Sequence, residues 1–259
     1  MTPDLAAWAA ALPAWSFAFM LVLARFGAAM ALMPGLGETA APATIRAGLA
    51  FCLTILLLPV IFVTPPAAPE ANLVAAGMVA AEVVTGLWLG WLARLLCIAL
   101  SMCGQYIAYL LGISTVLQPD PELGAQNTAL AAMFDAVGPL VILISGLYTL
   151  PLTALVGSYR IIPPGTLLPS ADSAATSVAA VAQCFALAVR LASPFLLASI
   201  VWHVAIGLVA RMVARFQVYF VSLPGQIVGG LLLLASVFAG ILAAWQDAAR
   251  DVLAALPGN

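Results

Sequence analysis

The sequence predicts an all-α membrane protein made of long helical hairpins, with about six apolar segments. Of its 259 residues, 65% are hydrophobic and 7% are charged, and the mean hydropathy is +1.17. A soluble domain is roughly half apolar and a quarter charged. The apolar residues also run in stretches of about 20 or more, the length that a helix needs to cross a bilayer, whereas barrel strands alternate and are about ten residues long. A polytopic helical membrane protein is therefore expected.

The apolar segments follow one another with short joints between them. They cover residues 15–33, 45–63, 73–111, 128–158, 174–210 and 218–245. The joints are rich in proline and glycine, which favour turns. None is long enough to link separate domains, so we expect a single domain over residues 1–259. The third and fifth segments approach twice the length of one span, on the order of 55 Å as a helix. They either bend into hairpins or extend well outside the membrane.

The composition argues against several function classes. All eight basic residues are arginines and ten residues are acidic, so the chain has no basic field to attract nucleic acid. One histidine and four scattered cysteines cannot supply the ligands of a zinc site. The nearest match to an intramembrane serine protease motif is "LISG" at 143–146, with His203 as the only histidine, and it lacks the first glycine of that motif. We expect no enzyme, no metal and no cofactor.

Arg25, Glu82, Arg94 and Asp135 are ionisable residues isolated inside apolar runs. A central arginine costs about 2.5–3.5 kcal/mol on the insertion scale, and the apolar side chains around Arg25 return roughly 3 kcal/mol. Arg25 should therefore need a partner, and Glu82 and Asp135 are the candidates. Such charges either form a proton relay or ion path, or they have a structural role, in which they pair inside a helical bundle and fix its register or lie outside the lipid altogether. We favour the structural role.

Glycine pairs recur at the spacing that lets two helices approach closely. Gly86 and Gly90 stand in "GLWLG", and Gly225 and Gly229 stand in "GQIVG". Both pairs are helix-packing candidates. The second pair lies in "RMVARFQVYFVSLPGQIVGG" at 211–230, which joins the last two apolar segments.

The middle of the chain contains a predicted break at 112–120. The apolar run through Leu111 meets Gly112, and Pro119 and the following proline disfavour helix at the residues before them. Non-helical backbone at membrane depth is tolerated only where protein buries it or where it lines a cavity. The segment is thus either a constriction or plug, or a surface loop. The plug candidates are Leu111, Gly112, Ile113, Ser114, Thr115, Val116, Leu117, Pro119 and Asp120.

Motifs along most of the chain resemble those of the FliR/SctT family of type III export apparatus proteins. The opening has an arginine in its first apolar run, then a Pro-x-x-Gly joint and a Pro-x-x-x-Arg before the second run. The similar central motifs are "EVVTGLWLGWL", "GQYIAYLLGISTVLQPDP", "GAQNTAL" and "GSYRIIPPG". The stretch at 211–230 departs from the family pattern, since Gln226 stands where the family usually has lysine.

The resemblance implies a core subunit of the flagellar type III protein export gate. Such a subunit assembles with FliP-like and FliQ-like subunits and an FlhB-like export protein, contacts membrane lipid, and passes unfolded flagellar proteins across the bacterial inner membrane at the flagellar basal body. It also implies a FliP-like part over about 1–170 and a FliQ-like part over about 171–259, with segment 112–120 helping to close the pore. Two alternatives stay open, an injectisome subunit of the same family and a proton- or solute-coupled secondary transporter.

Overall fold

The structure is a computed structural model that describes residues 3–38, 41–113, 128–212 and 218–259. Every regular element in these ranges is an α-helix, which confirms the predicted fold class. The helices are α1 (Pro3–Leu32), α2 (Ala43–Ile61), α3 (Asn72–Leu110), α4 (Ala129–Ile144), α5 (Thr149–Ile161), α6 (Ser170–Met212) and α7 (Val218–Ala254).

The two longest apolar segments are continuous helices, so the alternative that they bend into hairpins is wrong. Helix α3 has 39 residues and α6 has 43, which makes α6 roughly 65 Å long. The uniformly apolar sequence supports this continuity, because nothing in it forces the chain to reverse. Even Pro194 lies inside α6 without ending it.

The fourth apolar segment, in contrast, is broken in two. Helices α4 and α5 meet at a bend of 73°. The chain turns at Gly146, whose φ of +75° is a conformation that favours glycine. In the described ranges, five helices are long and apolar enough to cross a membrane, or six if the bent pair counts as one span. The chain is therefore a multi-pass membrane protein, as the composition predicts.

The chain divides into two compact units, each assembled from separate parts of the sequence. The first comprises Met1–Arg94, Ile142–Ala179 and Asp251–Asn259, and the second comprises Leu95–Val141 and Ala180–Arg250. The division near residue 170 into a FliP-like and a FliQ-like part stays a prediction.

The core of the first unit forms around α1. Its buried face packs against residues of α3 and α5 and against Phe62 after α2, because these apolar side chains lose water-exposed surface together. Phe62 and Tyr159 meet edge to face with ring centroids 5.9 Å apart. The buried members of this cluster are Ala18, Val22, Phe26, Ala29, Met33, Phe62, Leu89 and Leu155.

The core of the second unit is anchored by aromatic residues. Trp245 of α7 is fully buried, and its indole nitrogen donates a hydrogen bond to the carbonyl of Leu96 at 3.0 Å. Phe134 of α4 and Phe238 of α7 lie 5.7 Å apart. A Cβ on Gly104 would lie 3.0 Å from the Cα of Ala131, so α3 and α4 approach closely there.

The four cysteines have two different environments. Cys97, Cys103 and Cys184 are buried, whereas Cys52 is exposed on α2. The thiol of Cys184 donates to the carbonyl of Leu95 at 3.2 Å. The buried three behave as the small hydrophobic residues that their apolar surroundings predict.

Candidate functional site

An ion pair lies fully buried in the first unit. The Nε of Arg25 on α1 is 2.6 Å from Oε2 of Glu82 on α3, and Nη2 is 3.1 Å from Oε1. Both residues are 0% exposed. The contact is bidentate, which is the strongest geometry that a guanidinium and a carboxylate can adopt. The structure thus brings together two of the four isolated charges and selects Glu82 over Asp135 as the partner of Arg25.

The remaining polar atoms of Arg25 are satisfied by α5 and the residues just after it. Nη1 donates to the Ser158 hydroxyl at 2.9 Å, and Nη2 also donates to the carbonyl of Ile162 at 3.2 Å. The ring of Tyr159 lies 3.8 Å from the guanidinium carbon, in cation–π geometry. Ile162 is extended because Pro163 follows it, which directs its carbonyl away from the helix.

Glu82 is equally well satisfied. Besides Arg25, it accepts the backbone N–H of Gly165 at 2.6 Å and the hydroxyl of Tyr159 at 3.3 Å. Arg25, Glu82, Ser158, Tyr159 and Gly165, together with the Ile162 carbonyl, form what we name the Arg25 cluster. It ties α1, α3 and α5 to one another at a point where every charged atom has a protein partner.

The other two isolated charges behave differently. Arg94 forms an ion pair with Glu38, a residue of the first joint, at 2.5 Å from Nη1 to Oε1. Both side chains are 26% exposed. Asp135 is exposed on α4, and within the described ranges no ion pair is recorded for it.

The glycine pair Gly86 and Gly90 lies where α3 crosses α1. A Cβ on Gly86 would overlap the carbonyl oxygen of Arg25, and a Cβ on Gly90 would lie 2.5 Å from that of Ala29. Only glycine lets the two backbones approach this closely. The crossing therefore sets the distance at which Arg25 reaches Glu82.

The second glycine pair has a looser environment. A Cβ on Gly225 would lie 3.3 Å from the Trp202 ring, and one on Gly229 would meet nothing within 4 Å. The close contact on α7 is instead made by Gly230, where a Cβ would overlap the side chain of Leu111. Any packing of Gly229 against another helix would therefore require a neighbour from outside the described residues.

The end of α3, where the predicted plug begins, rests on α7. The side-chain amide of Gln226 donates to the carbonyl of Leu110 at 2.8 Å. Gly112 has a φ of +72°, so the chain leaves the helix there. Leu111, Gly112 and Ile113 are in the described part of the chain. The other plug candidates, Ser114, Thr115, Val116, Leu117, Pro119 and Asp120, lie outside it.

Similarity to known proteins extends over nearly the whole chain. Residues 16–252 match the family of bacterial export proteins, family 1. The chain belongs to this family. In the described part of the chain, no group of three or more histidine, cysteine or acidic residues could hold a metal ion.

Three relatives carry the same name. The flagellar biosynthetic protein FliR of Caulobacter vibrioides is 36% identical over 233 residues, which are 90% of this chain and 93% of the relative. FliR of Bacillus subtilis is 28% identical over 84% of both chains. FliR of Escherichia coli is 22% identical over 86% of this chain and 85% of the relative. These findings confirm the resemblance to the FliR/SctT family.

Several residues of the Arg25 cluster, of the Arg94–Glu38 ion pair and of the contact between α3 and α7 were not among the residues predicted from the sequence. Ser158, Tyr159 and Gly165 stand in "GSYRIIPPG", a motif that carried the resemblance without a role for its side chains. Glu38 stands in a joint and has no apolar surroundings to single it out. Gln226 differs from the lysine that the family usually has at this position, and the sequence analysis found no other indication that its side chain makes a specific contact.

Proposed function

We propose that the chain is a core subunit of the flagellar type III protein export gate. The observation that carries this proposal is the similarity to FliR of Caulobacter vibrioides, 36% identical over 90% of the chain. The family match over residues 16–252 also reaches into all seven helices, so the similarity extends along the chain and is not confined to one segment.

In this role the chain forms part of the channel through which unfolded flagellar proteins cross the bacterial inner membrane. Its partners are FliP-like and FliQ-like subunits and an FlhB-like export protein. The exposed apolar surface of α6 and α7 supports such partners. Of the residues in the most apolar 18-residue stretch of each helix, only 28% in α6 and 11% in α7 are buried within the chain. Surface of this kind is covered by lipid or by other apolar helices.

Co-purification tests the assembly. The tagged chain is expressed with its FliP-like and FliQ-like candidates and extracted in mild detergent, and both should be recovered with it. A polytopic transporter of unrelated function, expressed and tagged in the same way, is the control. If the chain alone is recovered while the control gives the same background, the export-gate proposal is wrong.

Deletion of the gene distinguishes flagellar from injectisome use. The deletion should abolish flagellar filaments and swimming, and a plasmid copy should restore both. Loss of effector secretion with intact filaments would instead indicate an injectisome subunit.

The transporter alternative makes a different prediction at Glu82. If the Arg25 cluster holds the fold, Glu82→Gln should lower assembly of the complex. If Glu82 relays protons, the same variant should assemble fully and lose transport. The bidentate pair and its full burial favour the first outcome.

The plug is part of the proposed channel role. Shortening the chain within 112–117 should leave the complex assembled and make it leaky to ions. The measurement is dye release or ion flux in vesicles that contain the purified complex. An assembled complex with an unchanged seal would contradict a plug in this segment.

A further inference from the structure

Arg190 stands at the middle of α6, on a surface of the second unit that is otherwise apolar. It is the only Asp, Glu, Lys or Arg residue between Asp172 and Arg211. Its side chain is exposed, and so are large apolar side chains on both sides of it along the helix. These are Phe185 and Val189 before it and Leu197, Ile200 and Val201 after it. The charge therefore has apolar neighbours in both directions along α6.

The guanidinium of Arg190 lacks the kind of partners that the guanidinium of Arg25 has. Within the described ranges it makes no ion pair and no hydrogen bond, and only the backbone carbonyl of Arg190 is bonded, by the Ser193 hydroxyl at 2.7 Å. Arginine keeps its charge in proteins, so it cannot become neutral in apolar surroundings. An unpaired arginine within a membrane helix is unfavourable. A counter-ion is required, and the described part of the chain does not supply one.

A groove between α6 and α7 opens beside Arg190. Its volume is about 520 Å³, and Arg190 is the one charged residue among those that line it. An apolar helix in this groove would remove its own apolar surface and that of the walls from water or lipid together. The apolar side chains of the walls include Leu187, Leu191, Pro194, Val237 and Ile241. The groove thus offers apolar contact around a single positive charge.

We propose that this groove binds a helix of a neighbouring export-gate subunit, and that an acidic side chain on that helix pairs with Arg190. The proposal rests on the proposed function, which supplies the neighbouring subunits. A carboxylate matches the guanidinium in charge and can accept two parallel hydrogen bonds from it. The same solution occurs inside the chain, where Arg25 on one apolar helix pairs with Glu82 on another. For Arg190, the carboxylate comes from a second protein.

A lipid phosphate could satisfy the same charge, but the position of Arg190 favours a protein. Lipid head groups lie at the membrane surfaces, about 15 Å from the centre of the hydrocarbon layer. Exposed apolar side chains continue from Val189 back to Val178 and from Leu197 on to Val209. If Arg190 reached a head group, one of these two stretches would lie outside the hydrocarbon layer. That stretch would still need a protein to cover it.

Arg190→Met tests the pairing, because it keeps an extended side chain and removes the charge. The subunit alone should remain as stable as the original chain, since the guanidinium holds no contact within the described ranges. Loss of one member of a buried ion pair weakens an interface by on the order of 100-fold or more. We therefore expect the FliP-like and FliQ-like partners to be lost during purification. Thermal unfolding of the subunit and recovery of its partners are the measurements.

Arg250→Met is the matched control. Arg250 is exposed on α7 in the same unit, but it stands between Asp247 and Asp251 in a polar stretch of the sequence. It needs no further counter-ion, so this variant should keep both its stability and its partners. Arg190→Lys retains the positive charge and should keep much of the recovery that Arg190→Met loses.

A charge exchange identifies the residue that pairs with Arg190. Arg190→Glu should repel the acidic side chain and abolish partner recovery. Each Asp or Glu residue in the apolar helices of the two partners is then replaced by arginine, one at a time. One of these replacements should restore recovery with Arg190→Glu and weaken it with the original chain. A substitution that only damages the fold would not be rescued in this way.

Every outcome decides the proposal. Loss of partners from a stable Arg190→Met subunit, with rescue by one charge exchange, supports it. Loss that no exchange restores overturns pairing with a carboxylate, and a less stable Arg190→Met subunit overturns it because Arg190 would then hold the fold. Full partner recovery also overturns it, and less phospholipid phosphate bound to that complex would then indicate a lipid head group. If the original chain recovers no partners, the proposed function itself fails.

Discussion

The Arg25 cluster and the exposed apolar stretch of α7 around Gly229 differ in how their residues are covered. One is surrounded by protein atoms and the other has few neighbours. In the Arg25 cluster, the partners of every charged atom come from within the chain. On α7, Gly229 faces open space, and only 11% of the most apolar window is buried. The cluster is therefore an element of the fold of the subunit. Among the described residues, this part of α7 has few neighbours, so its apolar surface is available to lipid or to other subunits.

This contrast predicts that substitutions in the cluster affect folding and that those on the face of α7 affect assembly. The largest effect is expected for Arg25→Met, which leaves the Glu82 carboxylate buried without its counter-ion. Breaking a buried pair in this way costs about 3–5 kcal/mol. The free energy of unfolding in detergent, or the yield of folded protein in membranes, measures it.

The double variant Arg25→Met, Glu82→Met is the control for this prediction. Replacing both charges with apolar residues is often close to neutral, so part of the lost stability should return. If the single variant were as stable as the original chain, the cluster would not hold the fold.

The next effect concerns the crossing of α1 and α3. Gly86→Ala should destabilise the subunit by about 1–3 kcal/mol, because the new Cβ would overlap backbone that cannot move alone. Gly77→Ala on the same helix meets nothing within 4 Å and should be neutral or stabilising by up to about 1 kcal/mol. Thermal unfolding of the two variants side by side tests the prediction. Equal stability would mean that the crossing is looser than the structure has it.

A smaller effect is expected at the partly exposed ion pair. Arg94→Gln removes the pair with Glu38, whose side chains are each 26% exposed. Pairs that solvent reaches contribute about 1 kcal/mol or less. A destabilisation as large as that of Arg25→Met would contradict the distinction between buried and exposed charges.

The smallest effect on the stability of the subunit itself is expected at Gly229. Gly229→Ala should change it by no more than about 1 kcal/mol, because the site is open. Recovery of partner subunits should fall if the face of α7 packs against them. Gly240→Ala, also on α7 and also open, is the matched control. Equal recovery for both variants would remove any special role of the "GQIVG" pair.

The sequence was sufficient for the helical class and for most helix positions, because long apolar runs in a membrane protein have few other options. It did not predict the bend between α4 and α5. The run at 128–158 is apolar throughout, and Gly146 is one of 20 glycines. The chain turns at Gly146 with a φ of +75°, but nothing in the surrounding sequence distinguishes this glycine from the others.

The pairing of the charges could be predicted only in part from the sequence, because it depends on which helices lie next to each other. The cost of burying Arg25 demands an acidic partner, yet Glu82 and Asp135 satisfied that demand equally until the crossing at Gly86 brought α1 and α3 together. Glu38 was missed because a charge in a short joint looks solvated. Its contact with Arg94 depends on a turn that spacing does not encode.

The exposed thiol of Cys52 gives this chain a native reporter. The other three cysteines are buried, so a small membrane-permeant label such as N-ethylmaleimide, added to the folded subunit in detergent, should react mainly at α2. Only 11% of the most apolar window of α2 is buried within the chain, which makes this helix a surface that a neighbouring subunit can cover. Labelling of Cys52 before and after assembly would therefore indicate when α2 becomes shielded, with no substitution needed to introduce the probe.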